Sequence, residues 1–238
     1  MIAENIKMVQ AEIAAACARA GRDPQTVTLV AISKRKPIED ILAAVAAGIR
    51  HFGENRVEEM QEKQPHLAVT TSVTWHMVGH IQSRKARYIP GMFQVVHSID
   101  SLKLAVKLDT LLAENQQQLT GLIQMNVSGE QTKSGLAAFG WEQDATVRKN
   151  LFDEVRQMTT LPHLKIRGLM TMAPIVDEME QARPVFQSLA RLRNALVDTL
   201  NIELPELSMG MTDDYPIAIE EGATMIRVGR AIFGERAY

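Results

Sequence analysis

"TVTLVAISK" (residues 26–34) decides the fold. It is β-branched and apolar until it meets Lys34, and so reads as a strand buried on both faces. Pro37, with Glu39 and Asp40 behind it, marks a helix start: proline suits the first turn, and acids suit the positive end of the helix dipole. "IEDILAAVAAG" (38–48) is that helix, and Gly48 suits its C-terminal stop. The stretch is therefore one βα unit, and the same unit recurs down the chain. Strands are expected at 49–55, 73–79, 93–100, 120–128, 165–172, 206–210 and 224–229. Helical segments follow at 56–63, 83–89, 101–116, 141–158, 177–198, 212–222 and 230–238, and one more precedes the series at 2–20. Pro184 is expected to kink its helix, and Thr212 or Asp213 to cap the next one.

Eight βα units without a Pro/Gly/Ser-rich linker fit a single-domain (β/α)8 barrel over residues 1–238, with an extra N-terminal helix. An open doubly wound sheet is the alternative, but it normally uses fewer strands at this length. No GxGxxG follows the first strand, so a dinucleotide site has no support.

Composition narrows the function. The net charge of −2 argues against a nucleic-acid footprint and a polybasic membrane patch. No apolar run approaches the roughly 20 residues of a membrane span, and residues 1–20 have no unbroken apolar core of a signal peptide. A reducing cytoplasm is the expected location. Cys17, alone in an alanine-rich helix, reads as a small buried hydrophobe. No Cys/His spacing suggests a metal site. His76 on an apolar strand reads as a hydrogen-bonded core histidine, and Arg84, Lys85 and Arg87 as a solvated helix face. Nothing reads as an obligate dimer surface, so a monomer is expected.

A barrel of this kind carries its chemistry at the C-terminal ends of the strands. Lys34 stands there on the first strand, and an amine half-desolvated in an apolar barrel mouth is nucleophilic toward carbonyls. Lys36, next to Pro37, falls outside the strand at the helix entrance. In "TMIRVGRAIFG" (224–234), strand periodicity puts Met225, Arg227 and Gly229 on one face, and Gly229 opens a helical turn. Backbone N–H groups at such a turn suit an anion. Ser208 and Gly210 share a face of the neighbouring strand, so a hydroxyl can join them. A lysine for a carbonyl and a cradle for a phosphate suggest a phosphorylated aldehyde. Pyridoxal 5′-phosphate (PLP) fits, and so does an aldolase-type sugar phosphate.

"WHMVGHIQSRKARYI" (75–89) is similar to the signature of the pyridoxal phosphate homeostasis protein family. "AISKRKP", "HFGENRVEE", "KSGL", "RGLMTM", "LSMGMTDD" and "GATMIRVGRAIFG" resemble that family in the same order, over essentially the whole chain. The resemblance implies a PLP-binding barrel of the alanine racemase N-domain type. Lys34 would carry PLP as an internal aldimine, and Ser208 with the backbone of Gly229 and Arg230 would hold the phosphate. Arg227 would face the pyridine nitrogen, Asn55 would lie beside the cofactor, and Met209, Gly210, Met211 and Met170 would line the pocket more loosely. The family usually has Asn at position 84 and often Thr at 230, where this chain has Arg; if the backbone N–H alone binds phosphate at 230, nothing is lost.

Two functions of different class follow. One is a carrier or buffer in vitamin B6 homeostasis, with PLP-dependent apo-enzymes as partners and no residue assigned as catalytic acid or base. The other is a PLP-dependent racemase or decarboxylase. A cation at the pyridine nitrogen weakens the ring as an electron sink. Racemases of this type also add a β-domain and a partner's tyrosine, for which a chain ending eleven residues after Arg227 leaves no room. The carrier is the favoured expectation. A class I aldolase is the remotest reading, since it needs an acid/base near the lysine.

Overall fold

The computed structural model describes residues 1–67, 73–130 and 133–235. The chain opens with α1 (Ile2–Arg19), followed by β1 (Thr28–Ile32), α2 (Ile38–Ala46), β2 (His51–Glu54), α3 (Val57–Lys63) and β3 (Thr74–Met77). Next come β4 (Val95–Ile99), α4 (Leu102–Glu114), β5 (Leu119–Asn126), the two-residue β6 (Leu136–Ala137) and α5 (Ala145–Thr159). The chain finishes with β7 (Leu164–Met170), α6 (Arg183–Leu200), β8 (Glu206–Met211), α7 (Tyr215–Glu220), β9 (Met225–Val228) and α8 (Arg230–Phe233). Apart from β6, every strand pairs in parallel with the next. β9 pairs with β1, and β4 reaches β5, so the ring closes. The expected eight-stranded barrel has formed.

Parallel strands need helical crossovers, and the helices cover the outer face of the ring. In α6 the buried side chains are Phe186, Leu189, Leu192 and Leu196, spaced as one face of a helix. Burial of each contributes about 1.5–3 kcal/mol, and truncation of Leu189 to Ala costs about 2–5 kcal/mol. The extra helix α1 lies against α7, α8 and α2. Asn5 Nδ2 donates to the Ile232 carbonyl at 2.9 Å, which ties α1 to the final turn.

Three details differ from the sequence reading. Pro184 does not kink its helix but sits in the first turn of α6, behind a 3-10 turn at Met179–Ala182. Its missing N–H has no intrahelical partner at that position anyway. The short helix after β3 is a 3-10 helix, Ser83–Tyr88. The residue at the N-cap of α7 is Asp214, not Thr212 or Asp213; its Oδ1 accepts from Met211 N–H at 2.6 Å. The loop after β5 also contributes β6, beside Met125 and Asn126. Residues 236–238 of the expected last turn lie outside the described residues.

The barrel interior combines a small apolar cluster with a polar one. Leu122, Met170 and Met225 form the apolar part, apart from the main core between strands and helices. Gly53 faces inward too: a Cβ there would stand 2.6 Å from Ile32 Cδ1, so that side chain would have to shift. Among the described residues, no helix is long and apolar enough to cross a membrane.

Candidate functional site

At the C-terminal ends of β1, β8 and β9 lies a cavity of about 280 Å³. Lys34, Lys36, Arg227, Arg230, Thr212 and Gly229 line it, with Asp213 as its single carboxylate among the described residues. Ile32, Ile175 and Met211 supply apolar wall. Four cationic side chains, a hydroxyl and a glycine turn at one opening suit a small anion with an apolar body.

Lys34 follows β1 in a tight turn closed by Lys36 N–H donating to the Ser33 carbonyl at 3.0 Å. Lys36 points elsewhere than a covalent role requires. Its Nζ donates to the carbonyls of Phe233, Gly234 and Glu235 at 2.9, 3.2 and 3.1 Å, so it satisfies the end of α8. Gly229, at the N-cap of α8, accepts from Ile232 and Phe233 N–H. The Arg230 guanidinium is paired with Asp213 at the cavity rim, which leaves its backbone as the part facing the turn.

Arg227 is buried, and its guanidinium is held from below. Nη1 donates to Ser208 Oγ at 2.5 Å and Nη2 to the Thr171 carbonyl at 2.8 Å. Burial pushes its pKa down to about 10, with Asp214 opposing, so it stays charged at neutral pH. Behind Ser208 runs a chain of imidazoles. His97 Nδ1 lies 2.7 Å from Ser208 Oγ, His76 Nδ1 2.8 Å from His97 Nε2, and His51 Nδ1 3.0 Å from His76 Nε2. Burial pushes the pKa of His76 down to about 3, helped by His51. His97 falls well below the ordinary value by burial and by its neighbours His76 and Arg227. His76 is thus the hydrogen-bonded core histidine expected from its strand.

The structure brings Lys34, Arg227, Gly229, Arg230 and Met211 to one cavity, and leaves five other expected residues, Ser208, Gly210, Met209, Met170 and Asn55, outside its lining. Ser208 is fully buried, and its hydroxyl is engaged by Arg227 and His97 instead of facing the opening. Gly210, at φ 92, introduces a register shift in β8 between Ser208 and Met211. Met211 and Thr212 consequently line the cavity, while Met209 packs into the outer core. Met170 is buried inside the barrel with Leu122 and Met225. Asn55 lines a neighbouring groove with Arg56, Gly79, His80 and Arg84. Thr212, the hydroxyl at the opening, was expected only as a helix cap. A signal for it exists in Gly210, since a glycine inside a strand pattern suggests a bulge.

One further cluster touches the site from outside the cavity. Glu54 Oε1 accepts from Ser33 Oγ and from Lys63 Nζ, both at 2.7 Å. Lys63 Nζ also donates to Glu59 Oε1 at 2.6 Å and to the Ser33 carbonyl at 2.8 Å. Burial pushes the pKa of Glu54 up, against the pull of Lys63 and Ser33.

A closed parallel barrel with a lysine after its first strand and an anion cradle after its last two defines a class. The chain matches the model of the alanine racemase N-terminal domain over residues 5–237 and belongs to that family. Its full-length likeness is narrower. It is 46% identical over 237 residues to the pyridoxal phosphate homeostasis protein of Pseudomonas aeruginosa, covering 100% of this chain and 96% of that one. The protein of the same name in Aquifex aeolicus is 37% identical, over 99% of this chain and 98% of its own. PipY of Synechococcus elongatus, solved with PLP bound, superposes with a TM-score of 0.84 at 34% identity, covering 98% of this chain and 100% of that chain.

Proposed function

We propose that this chain binds PLP covalently at Lys34 and serves as a carrier or buffer of that cofactor in vitamin B6 homeostasis, with little or no catalysis of its own. The observation that carries this reading is the cavity that joins Lys34 to Arg227, Arg230, Lys36, Thr212 and Gly229. That donor set fits a phosphorylated aldehyde: an amine for the carbonyl, cations, a hydroxyl and a backbone turn for the phosphate. The names of the relatives and the PLP bound to PipY support the same ligand. When bound, PLP supplies an electrophilic aldehyde and an electron-accepting ring.

The chain's residues divide the work. Lys34 Nζ forms the covalent link. Thr212 Oγ1 and the backbone N–H groups of Gly229 and Arg230 hold the phosphate. Lys36 fixes the far end of α8 and so orients that turn. Arg227 faces the ring nitrogen, and Ser208 holds Arg227 in place. A charged guanidinium at that nitrogen opposes its protonation, which weighs against a racemase or decarboxylase. Met211 supplies apolar wall beside the cofactor, whereas Asn55 lies in the neighbouring groove and Met209 and Met170 are packed away from the cavity. The protein acts as a cytoplasmic monomer and passes PLP to apo-enzymes.

Titration with PLP, followed by visible absorption, tests the binding; a panel of amino acids offered to the loaded protein tests the carrier. A new visible band without turnover is expected. Absence of the band would sink the binding, and turnover at ordinary enzyme rates, about 10 per second, would sink the carrier.

A further inference from the structure

The turn that presents Lys34 has one internal bond, Lys36 N–H to the Ser33 carbonyl, and takes further anchors from outside. Arg35, its next neighbour, has φ 58, a left-handed conformation that glycine or asparagine adopts more readily than arginine. The side chains that bond the main chain on either side of Lys34 come from the adjacent βα unit. The Arg35 N–H donates to Glu59 Oε1. On the other side of Lys34, Ser33 donates its hydroxyl proton to Glu54, and its carbonyl accepts from Lys63 Nζ. Lys63 Nζ joins both carboxylates, so it has three acceptors for its three protons. The residues before and after Lys34 are thus anchored to one ammonium and the two carboxylates it bridges.

None of Glu54, Glu59 and Lys63 lines the cavity. Packing alone gives no reason for them, because apolar side chains of similar volume stabilise a buried site at least as well as an ion cluster. Their bonds converge on the main chain flanking a single side chain. We propose that Lys63, Glu54 and Glu59 are positioning residues that clamp the Ser33–Lys36 turn, set the direction in which the Lys34 amine leaves it, and thereby set how long the chain retains its phosphorylated aldehyde. The inference rests on Lys34 as the attachment point. It adds that retention is controlled from behind the lysine, by a cluster that never meets the ligand.

The test compares wild type, Lys63→Met, Glu59→Ala and the double variant Lys63→Met/Arg35→Asn. Release of PLP into an excess of a trapping apo-enzyme gives the dissociation rate, visible circular dichroism of the bound cofactor reports its orientation, and far-ultraviolet circular dichroism with melting reports the fold. Release should quicken about tenfold in Lys63→Met, the equivalent of one hydrogen bond's worth of alignment, with an altered visible dichroism. Glu59→Ala should move the same way by a smaller factor. Arg35→Asn should recover part of the loss, because asparagine takes the left-handed turn unaided. If Lys63→Met does not fold, Glu59→Ala decides alone. Folded variants that release PLP at the wild-type rate with unchanged visible dichroism would overturn the clamp. A wild-type protein that takes up no PLP on Lys34 would overturn the reading of the site itself.

Discussion

Two buried polar networks meet the cavity from different sides, and they are built on opposite electrostatic rules. Behind Lys34 the network is ionic: Lys63 stands between Glu54 and Glu59. Behind Arg227 it is neutral, a row of three imidazoles ending on a serine hydroxyl. The difference follows from what each must hold. Main-chain groups beside Lys34 are both donors and acceptors, so a cluster of both signs can anchor them. Arg227 is already a buried cation, and an imidazolium beside it would repel it. Neutrality also fixes direction. The guanidinium only donates, so Ser208 Oγ accepts from it and gives its own proton to His97 Nδ1. His97 then carries its proton on Nε2 and donates to His76 Nδ1; His76 likewise donates from Nε2 to His51 Nδ1. A single tautomer satisfies every bond in the row.

The sharpest way to break the contrast is to remove the central charge of the ionic network. Lys63→Met leaves the fully buried Glu54 without its counter-charge and should cost about 3–5 kcal/mol at neutral pH in urea unfolding. Glu54 has its folded pKa raised, so its contribution favours the folded state below the unfolded carboxyl value and is lost as pH rises through the folded one. The deficit of the variant should therefore shrink as pH falls toward the carboxyl range. A deficit that grows on acidification would contradict the assignment.

The neutral network should respond in the opposite sense. His76 is depressed from 6.5 to about 3 in the folded state. Its stabilisation is therefore present above the unfolded pKa of 6.5 and is lost as pH falls toward 3. His97 is depressed too. Two such groups make stability fall by up to about 2.7 kcal/mol per pH unit below 6.5. His76→Gln should reduce that slope by about 1.4 kcal/mol per unit. Equal slopes for both proteins between pH 6 and 5 would refute the buried neutral row.

The smallest effect separates the two hydroxyls. Ser208→Ala strands Arg227 Nη1 and His97 Nδ1, so it should cost about 1–3 kcal/mol of stability. Its effect on PLP affinity should be smaller than that of Thr212→Val, measured by titration. The reverse ranking would return the phosphate to Ser208.

The barrel was legible because its strands are apolar on both faces and its helices carry a 3.6-residue rhythm, and both patterns are local. Lys34 was legible for the same reason, as a charge ending an apolar run. Ser208 and Thr212 were harder. Strict alternation puts them on one face, and depth along the strand is invisible without the register shift at Gly210. Met209 was carried outward to the main core, where a pocket residue was expected. Lys63 could not be read at all. In "VEEMQEK" it looks like half of a solvated pair with Glu59 four residues earlier, and its burial depends on Glu54 across the β2–α3 loop. The imidazole row left a faint trace, one histidine on each of β2, β3 and β4, but its alignment depends on barrel stagger.

Peptide mapping after borohydride reduction of the PLP-loaded protein tests the central claim most directly. A single labelled peptide, modified at Lys34, is the predicted result. Label on Lys36 or Lys63, or no stable label from a protein that has taken up PLP, would contradict it.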